Sequence, residues 1–515
     1  MDPHPPTFRD LWDNAVRIHR VRTFLIFRDE DETTTRWTYG EFDAIVQRTS
    51  AALRQHGMRH GAAVHLALRN CPAFIAVWLA AARAGAWIVP ADPASSARDI
   101  ANQVGRTGPV LGICGASRAA TYREGVPAGD FPIIELQENA ADVDDGALST
   151  TPATTTPGEG SVVSLMDRLA VMFTSGTTSQ PKGVVLTQHN YAHVAITMST
   201  VIGLSAEHRW LVTLPLFHAN AQYYCFAPAI AVGAGVALTA RFSASRWLQQ
   251  AADLEATHAS LFAAPIRMIL ARRPPDAPAI ALRHVWFAQN LGAEHYREFA
   301  RLVGCNPRQL YGMTETVAIV TADTSEPRRH DVIGRPLPGR TVAVVDPETL
   351  IDAPPHSPGL LLVHGTRGVD LFSGYLDDPA ISNAAFRTEG ESSWFTTGDL
   401  VAKDDDGVLR FVGRADDVIK VAGENVSLTE MEAVIAQAPG VLEAAVVARP
   451  DPIHDQVPVA YVVPRDPSEP PNPQQLAEWA ISHLAPQARP REWFVIDSLP
   501  RTSVGKVRRF KIGAP

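Results

Sequence analysis

FTSGTTSQPKGVVLT, residues 173–187, is the stretch that decides the fold. Thr174, Ser175, Thr177 and Thr178 crowd around Gly176, and Pro181, Lys182 and Gly183 follow. Apolar runs flank the segment, LAVMF before it and VVL after it, which predicts a tight loop between two buried strands. Glycine lets backbone N–H groups approach an anion, hydroxyls add donors, and lysine adds a point charge. A polyphosphate is the ligand such a loop suits. Walker A loops place Ser or Thr directly after the lysine, whereas Gly183 follows Lys182 here.

Lysine usage points the same way. Of 46 Lys and Arg residues only five are lysine: Lys182, Lys403, Lys420, Lys506 and Lys511. Surface charge is therefore expected on arginine. A lysine kept against that bias does what a planar guanidinium cannot, namely donate from a compact ammonium to one small anionic centre. Lys182, Lys420 and Lys506 lie in glycine-containing segments, while Lys403 and Lys511 read as solvated charges.

A chain of 515 residues exceeds what one core supports, so two or more domains are expected. Net charge of −9 and the lack of a basic stripe argue against nucleic acid. Cys71, Cys114, Cys225 and Cys305 are scattered without metal spacing, as in a reduced cytoplasmic protein. The most apolar stretch, residues 73–91, is broken by Arg83, Gly85 and Pro90 and reads as a buried helix and core strand rather than a membrane span.

Helical periodicity over 39–56 and 73–84 alternates with strand-like runs at 63–68 and 87–90, which implies βαβ units and mainly parallel sheets. Residues 149–161, STTPATTTPGEGS, read as a low-complexity linker. After about Val332 short strands with turn signals predict a β-rich subdomain. Beyond Arg414 a mixed unit is expected, with helices over 428–437 and 473–484 and strands over 444–448 and 457–463. The fold class is thus α/β: a large N-terminal domain of mixed parallel sheets plus a β-rich subdomain, with a small mobile α+β C-terminal domain.

Further motifs carry chemistry. In YGMTETV, residues 311–317, Tyr311 can stack on a flat ring, Thr314 can donate to phosphate, and Glu315 can bind a hard cation. In TGDL, residues 397–400, Asp399 can accept two ribose hydroxyls. Residues 411–435 hold a polar Gly-Arg-x-Asp-Asp cluster between apolar strands, with Lys420 and Gly423 just beyond. LPRTSVGKVRR, residues 499–509, puts Lys506 at a Gly-Lys tip.

Together and in this order these segments resemble the adenylate-forming superfamily of acyl-CoA synthetases, peptide-synthetase adenylation domains and luciferases, over nearly the whole chain. Within it FTSGTTSQPKGVV, YGMTET and AGENVS (422–427) are most similar to bacterial acid–CoA ligases of the crotonobetaine/carnitine type. The resemblance implies a soluble ATP-dependent ligase that uses Mg²⁺ and forms AMP and pyrophosphate, with CoA as acceptor. Thr174 to Lys182, including Ser175, Gly176, Thr177 and Thr178, would hold the β- and γ-phosphates. Tyr311 would stack on adenine, Thr314 would touch the α-phosphate, Glu315 would bind Mg²⁺, and Asp399 with Arg414 would grip the ribose. The implied boundaries are an N-terminal domain over 1–413, a hinge over 414–417 centred on Asp416, and a mobile domain over 418–515. Lys506 would serve adenylation and Lys420 with Gly423 the rotated state. His218 in LPLFHANAQYYC would stand at the family's gating position.

The chain departs from the family at Phe287-Ala288-Gln289-Asn290-Leu291, where a Gly-Gly-Ala-Pro-Leu-like turn is usual. With Asn220, Gln222, Tyr223 and Tyr224 this predicts a compact, partly polar pocket, and Ala263 with Ala264 leaves room for a ring. A small polar or aromatic carboxylic acid is the expected substrate. Two alternatives share the first chemistry: an acyl-AMP ligase loading a carrier protein, and a diazotase of secondary metabolism that activates nitrite and transfers it to an aryl amine.

Overall fold

A computed structural model describes residues 5–127, 129, 131–149, 162–174, 181–421, 424–451, 455–501 and 507–512. The expected linker falls outside the described residues beyond Ser149.

Local signals set the early elements. Helix Tyr39–Gln55 opens with a capping box in which Thr38 accepts from the Glu41 N–H and Glu41 accepts from the Thr38 N–H. Its buried Phe42, Ile45, Val46, Thr49 and Leu53 follow helical spacing. Helix Pro72–Ala84 is apolar on nearly every face, starts with proline in its first turn, and stops at Gly85, whose φ of 66° is left-handed. Such a helix must be buried, and it sits in the core.

Two large sheets sandwich that core. In the seven-stranded sheet Ala63–Ala67, Trp87–Pro90, Leu111–Gly115, Ile133–Leu136 and Arg168–Thr174 run parallel. Lys182–Thr187 then returns antiparallel along Arg168–Thr174, which sets Thr174 opposite Lys182. This hairpin is the pair of buried strands that the flanking apolar runs predict, and the connection is too short for a crossover helix. Gly374–Tyr375 adds as the last strand beside Lys182–Thr187.

The nine-stranded sheet has a parallel centre, Thr23–Arg28, Gly235–Thr239, Arg209–Val212, His258–Phe262, His284–Ala288 and Arg308–Tyr311. One apolar cluster joins residues from both sheets, and a second lies under Trp247, Tyr296 and Phe299. The β-rich region is an antiparallel five-stranded sheet of Thr341–Val345, Pro358–Gly365, Phe386–Glu389, Ser392–Lys403 and Leu409–Arg414.

A fourth sheet, Val418–Val421, Glu424–Ser427, Val441–Asp451, Asp455–Pro464 and Glu492–Val495, carries helices Leu428–Ile435 and Pro473–His483 and its own apolar cluster. The architecture is the mixed α/β one expected. Among the described residues no helix is long and apolar enough to cross a membrane.

Candidate active site

The hairpin sets Thr174 and Lys182 opposite each other at the two ends of the 175–181 connection, where the Thr174 hydroxyl lies 3.5 Å from the Lys182 carbonyl oxygen. Ser175, Gly176, Thr177 and Thr178 lie outside the described residues. Arg106 braces the Pro181 end of this connection. Its guanidinium donates to the Pro181 carbonyl at 2.7 Å and the Leu376 carbonyl at 3.1 Å, and lies 5.1 Å from the Phe173 ring centre.

Strand Arg308–Tyr311 delivers the second motif, and Thr314–Thr316 forms a single 3-10 turn. Glu315 is only 5% exposed. Val317 next to it adopts φ 64° and ψ −77°. A β-branched side chain is a conformational outlier there, at a cost of about 1–3 kcal/mol. Arg340 holds the strained loop. Its Nη2 donates to the Thr316 carbonyl at 2.7 Å, its Nη1 donates to the Asp370 carbonyl at 2.9 Å, and the Asp370 carboxylate lies 3.6 Å away. With its side chain 3% exposed, Arg340 corrects the expectation that arginine serves the surface. Burial pushes its pKa down, and the Asp370 carboxylate opposes that.

Tyr311 and Asp399 meet across two sheets: the tyrosine hydroxyl donates to Asp399 Oδ2 at 2.6 Å. Asp399 faces Arg414 in the antiparallel pairing of their strands, and Arg414 Nε lies 3.5 Å from its Oδ1. Burial first, and the Asp399 charge second, push the Tyr311 phenol well above its usual range, so it stays a donor. The sequence motifs contain both residues but not this bond.

Tyr375 ties the first two groups together. Its hydroxyl donates to Glu315 Oε1 at 3.2 Å, and the Lys182 ammonium stands 5.2 Å from its ring centre. Arg106, Arg340 and Tyr375 carry no local motif, and only their contacts expose them.

His218 is half-buried, with its ring 4.5 Å from that of Phe217. A π-helix follows it over Asn220–Phe226, a geometry frequent at functional sites. Its side chains divide in role. Gln222 is committed to the core, accepting from the Tyr191 hydroxyl at 2.6 Å and donating to the Leu216 carbonyl at 2.7 Å. The buried Asn220 Oδ1 and Tyr223 hydroxyl find no hydrogen-bond partner among the described residues. Gln289 is exposed at φ 73°, in the turn where the family uses glycine. Ala264 is buried, and Ala263 packs in the cluster with Trp247 and Phe299.

In the C-terminal region the backbone of Ala415–Asp417 forms a 3-10 turn, and Lys420 pairs with Asn425. The side chains of Asp416 and Lys420 lie outside the described residues, as do Gly423 and Lys506. The flanks of the Lys506 segment are tied down: Arg501 bridges Val507 and pairs with Glu443 at 2.6 Å. Three residues past Lys506, Arg509 binds both Glu432 carboxylate oxygens, at 2.9 and 2.6 Å, and Asp417 at 2.6 Å. One guanidinium thus connects the Lys506 tail to the residue beside Asp416.

The buried Glu315 carboxylate, which shares Tyr375 with Lys182, suits a hard divalent cation whose other oxygen ligands would come from phosphates. Asp399 offers a buried carboxylate to paired hydroxyls. Fold and site define the class: an ATP-dependent, AMP-forming ligase. The chain belongs to the AMP-binding enzyme family, whose sequence profile matches residues 12–376, and the family's C-terminal domain profile matches residues 430–506.

Among similar proteins are the crotonobetaine/carnitine–CoA ligases of Proteus mirabilis, 29% identical over 508 residues, and Salmonella typhimurium, 28% identical over 509; each alignment covers 97% of both chains. The fold is shared with an anthranilate CoA ligase in complex with anthranoyl-AMP (TM-score 0.86, 22% identity, 99% of this chain and 97% of that one). It is shared also with a benzoate CoA ligase from Burkholderia xenovorans (TM-score 0.85, 23% identity, 98% and 99%).

Proposed function

We propose that the enzyme adenylates a small polar or aromatic carboxylic acid and passes the acyl group to the thiol of CoA. The observation that carries this reading is that one tyrosine, Tyr375, touches both Lys182 and Glu315, while another, Tyr311, from the strand that leads to Glu315, binds Asp399. Full-length similarity to acid–CoA ligases supports the acceptor.

In the first step a carboxylate oxygen attacks the α-phosphorus of ATP, and the bond to the β-phosphate breaks as pyrophosphate leaves. This chemistry is mainly positioning and charge neutralisation, so no protein nucleophile is required. Lys182 with the hydroxyls of Thr174, Ser175, Thr177 and Thr178 and the Gly176 backbone holds the β- and γ-phosphates, Thr314 donates to the α-phosphate, and Tyr311 meets adenine. Asp399, oriented by Tyr311 and Arg414, accepts the ribose hydroxyls. Glu315 would hold Mg²⁺, which would supply neutralising charge on the phosphates. Lys506 donates to the incoming carboxylate and the α-phosphate as charge grows there. In the second step the thiol attacks the acyl carbonyl and AMP leaves, with His218 at the entrance and Lys420 and Gly423 facing the acceptor. Between the steps residues 418–515 rotate on residues 414–417 about Asp416 against residues 1–413.

Lys506→Ala tests this division. Pyrophosphate exchange should fall at least about 100-fold, while thiolysis of supplied acyl-adenylate stays largely intact. Equal loss in both partial reactions contradicts the two-state assignment.

A further inference from the structure

The five residues Phe372 to Leu376 clasp two motifs that lie far apart in the chain. At one end the Phe372 N–H donates to the Glu315 carbonyl at 2.9 Å. At the other, Ser373 N–H donates to the Val185 carbonyl at 2.9 Å and Leu376 N–H to the Gly183 carbonyl at 2.7 Å, directly beside Lys182. Tyr375 stands between these stitches. Its own N–H is held by Ser382 Oγ at 2.8 Å, and its ring lies 4.8 Å from that of Phe372.

From this fixed backbone the side chain makes two polar contacts. The hydroxyl donates to Glu315 Oε1 at 3.2 Å. The ring face carries the Lys182 ammonium at cation–π distance, which limits where a flexible four-carbon stem can place its charge.

We propose that Tyr375 is a positioning residue that sets the Glu315 carboxylate and the Lys182 ammonium at a fixed spacing, so that cation and terminal phosphates are met as one unit. This rests on the reading above that Lys182 faces phosphate and Glu315 a divalent cation. The two functions of the side chain are separable. Phenylalanine keeps the ring and loses the donor; leucine loses both.

Calorimetric titration of ATP into the full-length protein, in EDTA and at stepped Mg²⁺ concentrations, reads them apart without turnover. Tyr375→Phe should raise the Mg²⁺ midpoint for tight ATP binding about five- to tenfold, with ATP affinity in EDTA changed less than about twofold. Tyr375→Leu should also weaken ATP in EDTA, by about threefold or more. On a Glu315→Gln background Tyr375→Phe should add no further shift in the midpoint.

An unchanged midpoint in Tyr375→Phe, where Glu315→Gln shifts it, overturns the proposal and leaves the parent reading standing. Equal weakening with and without Mg²⁺ in Tyr375→Phe also overturns it, since that is the mark of a merely structural residue. If Glu315→Gln and Lys182→Ala both bind MgATP like the wild type, the parent reading falls and takes this one with it. Tyr375→Phe preserves the packing on Phe372, and thermal melting confirms that the compared proteins are folded; should Tyr375→Leu fail to fold, Tyr375→Phe decides alone.

Discussion

The two ends of the nine-stranded sheet are both polar and buried, yet they are built differently. At the amino ends of the strands His208, His258 and His284 form a ladder with ring centres 4.6 and 5.9 Å apart, and His284 meets Trp286 edge-on at 4.3 Å. Burial, helped by Arg283, Arg308 and the neighbouring imidazoles, holds the His258 pKa down to about 3 and pushes His284 well below its ordinary value. These rings are neutral at pH 7, and they fill space. At the carboxyl ends the backbone is strained at Gln289 and Val317, Arg340 is spent on loop carbonyls, and Tyr311 leads to Asp399. Polar burial alone therefore does not mark a site. A strained loop held by the Arg340 guanidinium, with carboxylates that accept from tyrosine hydroxyls, distinguishes the carboxyl end.

Substitutions should split the two ends. The largest effect is expected from Glu315→Gln, which should lower adenylation by about 100-fold or more in pyrophosphate exchange while the fold is kept. Arg340→Met leaves the Thr316 and Asp370 carbonyls without this donor and the Asp370 carboxylate without its guanidinium, only the Thr366 N–H remaining on it among the described residues. A loss of about 3–5 kcal/mol in denaturant unfolding is expected, together with reduced adenylation.

At the other end the effect appears with acid. His258 there is held down to about 3, chiefly by burial, and His65, on strand Ala63–Ala67 of the seven-stranded sheet, is likewise held down to about 4 by burial; both lie below the unfolded value of 6.5. The unfolded chain therefore binds more protons between about pH 6.5 and 4, and stability falls as pH falls through that window. By pH 4.5 each should have cost about 2.5 kcal/mol relative to pH 7, read from unfolding midpoints at stepped pH.

The smallest effect is expected from His284→Phe. Its buried Nε2 has no hydrogen-bond partner among the described residues, so stability at pH 7 should hold or rise by up to about 1 kcal/mol. Activity should stay within about twofold and acid sensitivity should shrink. A tenfold loss of activity would break the contrast between the two ends.

Sequence reading reaches the parts of this molecule that local pattern controls. Helix Tyr39–Gln55, the apolar run of helix Pro72–Ala84 and the strand Trp87–Pro90 stand where periodicity puts them. The motif residues Thr174, Lys182, Tyr311, Glu315 and Asp399 were named from chemistry and resemblance. What stayed hidden is the frame that aims them. Arg340 reaches the Thr316 carbonyl from 24 positions away, Tyr375 reaches Glu315 from 60, and Arg106 reaches Pro181 from 75. Each is a lone side chain without neighbours of like kind, and both arginines are camouflaged in a chain that uses arginine nearly everywhere. Gln222 shows the opposite error, a polar residue that reads as pocket lining but is consumed by Tyr191 and Leu216.

The central claim is acid-dependent conversion of ATP to AMP and pyrophosphate, with CoA as acceptor. Small aliphatic acids, aromatic acids, and nitrite with an aryl amine are each incubated with ATP and Mg²⁺, with and without CoA, and AMP is quantified. A small polar or aromatic acid should give stoichiometric AMP and pyrophosphate, with multiple turnovers only when CoA is present. Turnover that needs nitrite and the amine but not CoA would contradict the account.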